Sequence, residues 1–331
     1  MRKSIVLALL LATGCKVYDP LYCDEGMPCT DPDRHFCDLN GEYPASEGIS
    51  RTCIPEPGVS YDAGIPDGSP DVSDGSPDVS DARVFAYPEP NVYWAFDQGD
   101  ITGTVVVARH GAVSGDLQGT TLDAVGVAGD AVAFGGGTDH VDFGDVLDDV
   151  FAGPDREFTI SVWIKPASVS GESVVLVKAG ASSCTPSEDN RQLDLLLADG
   201  IPSFRYWTPR NQNARYLIAT TPLVLDVWQH LLVTYDGASD VGAIERVRLY
   251  VNGVPQPLGV SGSLGTFPYD IQPTDAHLAL GKIVGASGQP CGSEQLNGVL
   301  DELAVWSSVL SPEHAADVYA RGAAALSLWP L

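Results

Sequence analysis

The strongest constraint on this chain is a series of short alternating segments separated by turn residues, extending over residues 85–325. Glu157-Phe-Thr-Ile-Ser-Val-Trp-Ile-Lys165 sets Phe158, Ile160, Val162 and Ile164 on one face and Thr159, Ser161, Trp163 and Lys165 on the other, which is the period of a strand. The run 228–235 ends at Asp236-Gly237, and 246–251 ends at Asn252-Gly253; both dipeptides are turn signals. Further strands are expected over 92–97, 131–134, 139–143, 173–178, 192–198, 203–207, 214–220, 276–282 and 298–306. One short helix fits 312–321, with Ser311 as its cap, Pro312 in its first turn and Gly322 as its stop. No long helical period interrupts the series, and 35 glycines and 24 prolines suit many turns. The expected fold class is all-β, a two-sheet antiparallel sandwich.

The N-terminus sets the expected compartment. Arg2 and Lys3 precede a short apolar run, Ile5 to Ala12, as in an export signal. At ~1.5 Å rise per residue this run is too short to span ~30 Å of hydrocarbon. Leu11-Ala12-Thr13-Gly14-Cys15 resembles the bacterial lipobox. The resemblance implies a signal peptide over 1–14, with Cys15 acylated and held in the lipid bilayer. Stable anchoring needs more than one acyl chain. Lys16 after the Cys leans towards the outer membrane or cell surface, the periplasmic face being the other option.

Of seven cysteines, the six left after Cys15 are Cys23, Cys29, Cys37, Cys53, Cys184 and Cys291. An even number suits an oxidising compartment. The first four do not form paired CxxC knuckles, so zinc is disfavoured and two disulfides of open connectivity are expected in a small module over 15–54. Cys184 and Cys291, in two Gly/Ser-rich loops about a hundred residues apart, are expected to pair. Residues 55–84 form an acidic linker, in which Asp67-Gly-Ser-Pro-Asp-Val-Ser73 repeats as Asp74 to Ser80. Proline, glycine and mutual repulsion of aspartates make this a disordered, extended tether. It lacks the ligand spacing of an EF-hand loop. Residues 326–331 are a C-terminal tail.

Three motifs, in order, carry a family resemblance. These are Phe158-Thr-Ile-Ser-Val-Trp-Ile-Lys-Pro166, Trp228-Gln-His-Leu-Leu-Val-Thr-Tyr-Asp-Gly237 with Arg248-Leu-Tyr-Val-Asn-Gly253, and Gly298-Val-Leu-Asp-Glu-Leu-Ala-Val-Trp306 with Leu310-Ser-Pro-Glu-His314. Residues 85–325 therefore resemble the LamG-like jelly roll of the concanavalin A-like lectin/glucanase superfamily. The resemblance implies a jelly-roll sandwich, a fold that hosts lectins, carbohydrate-binding modules, glycosidases and adhesive domains. It also implies one structural calcium ion, held by Asp301 of the closing strand and Asp97 near the first, with carbonyls around Gly135 to Gly137. Otherwise no cofactor is expected.

The chain carries 44 acidic against 18 basic residues, a formal charge of −26. Phosphate backbones need cationic contacts, so nucleic acid is excluded as a partner. No GxSxG, HExxH, P-loop or GxGxxG pattern occurs, nor the alternating carboxylates of retaining glycosidases on this sandwich. Glu188 and Asp189 are adjacent in a loop, and His140 reads as a satisfied surface histidine. The stretch 204–216 is richer: Arg205, Tyr206, Trp207, Arg210, Asn211, Asn213 and Arg215 combine stacking rings with hydroxyl- and carboxylate-binding groups. The competing reading is a hairpin whose rings pack inward while its arginines pair with neighbouring acids. The expected protein is a non-catalytic surface lipoprotein that binds a polysaccharide or surface protein. A structural envelope or matrix protein and a divergent glycoside hydrolase are the second and third readings.

Overall fold

The computed structural model describes residues 87–180, 190–208, 214–238, 246–261, 270–285 and 287–329, together with two short strands nearer the N-terminus. The chain divides into two units, Met1–Asp78 and Val79–Leu331. In the first, β1 (Phe36–Asp38) and β2 (Thr52–Ile54) pair antiparallel, and Cys37 stands opposite Cys53 in that register. Cys15, Cys23, Cys29, Cys184 and the linker lie outside the described residues.

The second unit opens with β3 (Val92–Trp94), β4 (Ile101–Thr102), β5 (Val105–Val107), β6 (Ser114–Gln118) and β7 (Thr121–Val125). Then come β8 (Asp130–Gly135), β9 (His140–Asp142), the one-turn α1 (Asp148–Phe151), β10 (Glu157–Pro166) and β11 (Glu172–Ala179). Next are β12 (Arg191–Ala198), β13 (Ile201–Trp207), β14 (Ala214–Ile218), β15 (Gln229–Asp236) and β16 (Val247–Val251). The chain closes with β17 (Val254–Pro255), β18 (Gly259–Ser261), β19 (Leu278–Leu280), β20 (Lys282–Val284), β21 (Pro290–Gln295), β22 (Asn297–Trp306) and α2 (Pro312–Ala323). Two antiparallel sheets form a jelly-roll sandwich. The first has the order β17-β16-β15-β10-β22-β8-β7, with β3 beside β22. The second has the order β18-β14-β13-β12-β11-β19-β9-β6-β5-β4.

Between the sheets, Phe158, Ile160 and Val162 of β10 pack in one core with Leu193, Leu195 and Phe204 of the second sheet. The expected alternation of β10 is therefore observed, but its other face is not a solvent face. Thr159 and Ser161 are fully buried, because α2 and the segment after it cover that side of the first sheet. Tyr93, Tyr250, Ala304 and Trp306 meet Ala315, Val318 and Leu328 there in a second core. Burial on both faces suits the mostly apolar run of β22, whereas β10 keeps its alternation and buries Thr159 and Ser161 on the second face. On the outside of the second sheet, Val174, Val177 and Ala279 are covered by Ile283, Val284 and Cys291 of the β20–β21 hairpin. Cys291 is thus on a strand rather than in a loop, and it is disulfide-bonded.

Differences from the sequence reading have local causes. Strands β4 to β7 were not expected, since Gly-, Asp- and Thr-rich segments at a sheet end carry little alternation. The expected strand 276–282 is two short strands broken at Gly281. Ser311 caps α2 as expected, in a reciprocal box with His314. Gly322 does not stop the helix, which continues to Ala323. It lies against the Trp163 indole, where an added Cβ would stand 2.4 Å from Nε1. The residues after α2 are packed rather than loose: the Tyr87 hydroxyl donates to the Leu328 carbonyl at 2.6 Å, and Leu328 is buried.

Gly322→Ala tests this contact. Alanine is the better helix former by about 1 kcal/mol, whereas overpacking costs about 1–3 kcal/mol. Because the Trp163 ring is itself held by Tyr319, stacked at 5.6 Å, we expect the clash to win. Urea unfolding followed by tryptophan fluorescence should show a lower midpoint for the variant.

Candidate functional site

Alternation along β13 divides the segment expected to bind ligand. Phe204 and Tyr206 point into the inter-sheet core, and Arg205 and Trp207 point to the outer face of the second sheet. Arg205 stands between Asp194 of β12 and Tyr216 of β14 in the register. Its guanidinium donates to Asp194 Oδ2 at 2.8 Å and to Glu172 Oε1 at 3.0 Å. The same group lies 5.5 Å from the Tyr216 ring centre and 5.9 Å from that of Trp207, and Arg191 lies 5.2 Å from the latter. Trp207 meets Tyr216 edge-on at 6.3 Å. Burial raises the Asp194 pKa, against the lowering effect of Arg205 and Arg191.

The row is therefore tightly internal. Tyr206 and Trp207 are buried, and Arg205 is 7% exposed, so their stacking and donor surfaces are already used within the sheet. Arg210, Asn211 and Asn213 lie outside the described residues. Arg215 is on β14, opposite Tyr206 in the register. Glu188 and Asp189 also lie outside the described residues.

Asp97 and Asp301, expected to share calcium, both hold the turn before β8. Asp97 pairs with Arg109 and accepts the Asp130 N–H at 2.6 Å. Asp301, fully buried, accepts from the Val127 N–H at 2.7 Å and from its neighbour Glu302 at 2.8 Å. Arg109 also meets Asp100 at 2.8 Å. Burial opposes the Arg109 charge, but the hydrogen bonds and attraction of Asp100 and Asp97 raise its pKa overall. These residues do not fit a calcium ion. An arginine cation already neutralises Asp97, and backbone N–H groups face both Asp301 oxygens. Among the described residues no group of three His, Cys, Asp or Glu side chains gathers at this turn or elsewhere. The thermal midpoint of the full chain should accordingly be the same in excess calcium and in chelator.

Two buried polar groups on the first sheet escaped the sequence reading. Ser161 Oγ lies 2.8 Å from His230 Nε2, with both residues fully buried. Burial lowers the His230 pKa to about 3, so the imidazole is neutral. Closed over by α2, this pair is packing rather than an accessible nucleophile. Glu302 accepts from the Tyr93 hydroxyl at 2.7 Å and from the Leu328 N–H. Burial raises its pKa to about 7, against those two hydrogen bonds. His140 also differs from expectation. It is 2% exposed rather than a surface residue, with Nδ1 at 2.7 Å from the Thr138 carbonyl.

A family profile described as the concanavalin A-like lectin/glucanases superfamily matches residues 135–316, from the end of β8 into α2. The chain belongs to this superfamily. No curated protein sequence matches it. Among solved structures, domain 4 of AbnA, a GH43 extracellular arabinanase from Geobacillus stearothermophilus solved with arabinotriose, is 18% identical, with a TM-score of 0.44 over 69% of this chain and 97% of that one. The binding domain of botulinum neurotoxin serotype G is 8% identical, with a TM-score of 0.50 over 70% of this chain and 50% of that one. The serotype D ligand-binding domain, in complex with N-acetylneuraminic acid, is 14% identical, with a TM-score of 0.48 over 70% and 50%. This superfamily member thus spans about half the length of those neurotoxin domains. At such identities the likeness is one of fold.

Glu302 supplies a pH test. Its folded pKa, about 7, stands above the ordinary 4.5, so its stabilising share is complete below 4.5 and is lost as pH rises through 7. His230 has the opposite sign, its lowered folded pKa favouring stability above the ordinary 6.5. Comparing wild type with Glu302→Gln isolates the first effect. The stability of wild type relative to the variant should fall by on the order of 3 kcal/mol between pH 4.5 and pH 8, read by denaturant titration at each pH.

Proposed function

We propose that this protein is a surface-anchored, non-catalytic binding lipoprotein. Cys15 carries the acyl anchor, 55–84 is the spacer, and the jelly roll recognises a polysaccharide or another cell-surface partner. The observation that carries this reading is the fixed platform under the β13–β14 hairpin. Arg205, Asp194, Glu172, Trp207 and Tyr216 lock the two strands at their base, and the connection between them carries Arg210, Asn211 and Asn213. A rigid base lowers the ordering cost of a recognition loop. The arginine and asparagines of this connection supply donors and acceptors for hydroxyls and carboxylates. The disposition of the two closing-strand carboxyls favours binding over hydrolysis. Asp301 and Glu302 are adjacent and buried, and both are committed to N–H and O–H donors.

A glycan array probed with the full chain tests the reading. We expect saturable binding to at least one glycan class, lost in Arg210→Ala, with an unchanged melting temperature for that variant. An array blank for wild type, or equal binding by wild type and variant, would remove the hairpin's claim. Trp207→Ala is unsuitable here, because truncating a buried tryptophan costs about 3–5 kcal/mol of stability.

A further inference from the structure

Three connections meet at one rim of the sandwich: 167–171 between β10 and β11, Asp199-Gly200 between β12 and β13, and 219–228 between β14 and β15. Backbone hydrogen bonds tie them together. The Leu223 N–H donates to the Gly200 carbonyl, the Asp226 N–H to the Pro166 carbonyl and the Asp199 N–H to the Gly171 carbonyl, each at 2.8 Å. The third connection is strongly apolar at its end: in Pro222-Leu-Val-Leu-Asp-Val-Trp228 only Asp226 is polar. Leu223 belongs to the inter-sheet core, whereas Val224, Leu225 and Val227 are 59%, 44% and 48% exposed. Single exposed aliphatics are ordinary on a protein surface. Three within four residues point to a contact surface.

The loop's own polar groups indicate what it contacts. Gln229, buried at its foot, accepts from the Val224 N–H at 3.1 Å and donates to the Val224 and Val227 carbonyls at 2.9 and 3.2 Å. With the Leu223 and Asp226 N–H groups also taken, the backbone around the exposed aliphatics is satisfied within the protein. A loop that stays in water does not need this, but one that enters hydrocarbon does, because no water is there to replace a lost bond. Trp228 follows, half-buried, with Lys165 Nζ 5.3 Å from its ring centre. An indole and a long ammonium chain both suit the headgroup layer, their apolar bodies towards the acyl chains and their polar ends in water. Charge selects the kind of lipid. Over 165–171, 199–200 and 219–228 the charged residues are Lys165, Asp199 and Asp226, and Asp199 already accepts the Gly171 N–H at 2.8 Å. The rim is thus nearly neutral in a chain of charge −26, and the remaining acids repel an anionic surface.

We infer that this rim docks on a zwitterionic lipid surface, with Val224, Leu225 and Val227 entering the boundary of the acyl chains and Trp228 and Lys165 at headgroup level. So small an apolar area binds reversibly. The contact requires neither an anchor at Cys15 nor the Arg210 hairpin. An acyl anchor in the same bilayer would make the contact intramolecular and raise its effective concentration.

The test uses the full chain in a Cys15→Ser background, which removes any acyl contribution, and phosphatidylcholine vesicles brominated in their acyl chains. Bromine quenches the fluorescence of an indole that reaches it. The chain has six tryptophans, and Trp228→Phe identifies the share that belongs to the loop. We expect quenching that Trp228→Phe removes, and a vesicle affinity, read from that quenching, that Val224→Asp lowers by about tenfold or more. The Val224 side chain is exposed and its hydrogen bonds are made by its backbone, so Val224→Asp should keep the wild-type melting temperature. Replacing part of the lipid by phosphatidylglycerol should weaken binding at low salt, and high salt should restore it. Arg210→Ala should leave the quenching unchanged. Absence of quenching, or quenching that Trp228→Phe or Val224→Asp leaves intact, overturns the inference. So does a Val224→Asp effect confined to self-association in sedimentation, which would assign the patch to a second copy of the chain. Array binding that needs Arg210, without Trp228 quenching, would refute this rim while leaving the hairpin reading in place.

Discussion

Along β22, strict alternation from Leu300 would send Glu302, Ala304 and Trp306 into the core between the sheets and turn Leu303 and Val305 away from it. The structure does the reverse: Leu300, Leu303 and Val305 lie in the inter-sheet core, and Ala304 and Trp306 lie in the core under α2. The switch is a bulge. Glu302 adopts φ of 53°, and β10 steps from Ser161 opposite Ala304 to Trp163 opposite Asp301. One inserted residue thus changes the parity of the strand and serves two hydrophobic layers at once. It also frees the two acidic side chains at the bulge from the alternation. Asp301 takes the turn before β8, and Glu302 takes the Tyr93 hydroxyl and the backbone after α2. A left-handed conformation at a non-glycine residue costs free energy, and these tertiary bonds hold it.

That device marks where sequence reading succeeds and where it stops. The interior face of β10 and the cap of α2 are visible in residue order because period and capping chemistry are local. The Asn252-Gly253 signal is likewise local, and both residues take positive φ, 52° and 75°, between β16 and β17. The bulge is not local in this sense. Asp301-Glu302 inside an otherwise apolar strand is its only trace, and that pair reads equally well as a metal ligand beside a strand end. Burial of Thr159 and Ser161 is also invisible in β10 itself, since it depends on α2, about 150 residues later in the chain.

The binding residues follow the same division. Alternation separates Tyr206 from Arg205 and Trp207 at once, but exposure is decided by cross-strand neighbours. Asp194 opposite Arg205, and Arg191 over the Trp207 ring, are what remove that row from solvent. His140 shows the complementary limit. An Asp-His-Val-Asp strand looks like a solvated face, and only the pairing of β9 with both β6 and β19 buries the ring and leaves one nitrogen unused.

Charge acts on both the interior and the surface of the sandwich. Cations are scarce in the chain, and several of those described are spent inside the fold. Arg109 meets Asp97 and Asp100, Lys178 meets Asp145 at 2.7 Å, and Arg205 meets Asp194 and Glu172. Each of these cations lies beside two carboxyls, so none of the three clusters presents a positive surplus, and the field outside is set by the uncompensated acids, screened beyond about 10 Å at 0.1 M salt. An anionic ligand approaching the sandwich therefore meets repulsion that these arginines and this lysine do not offset. A neutral, hydroxyl-rich ligand meets none. The composition of the surface thus restricts ligand class before any contact is made.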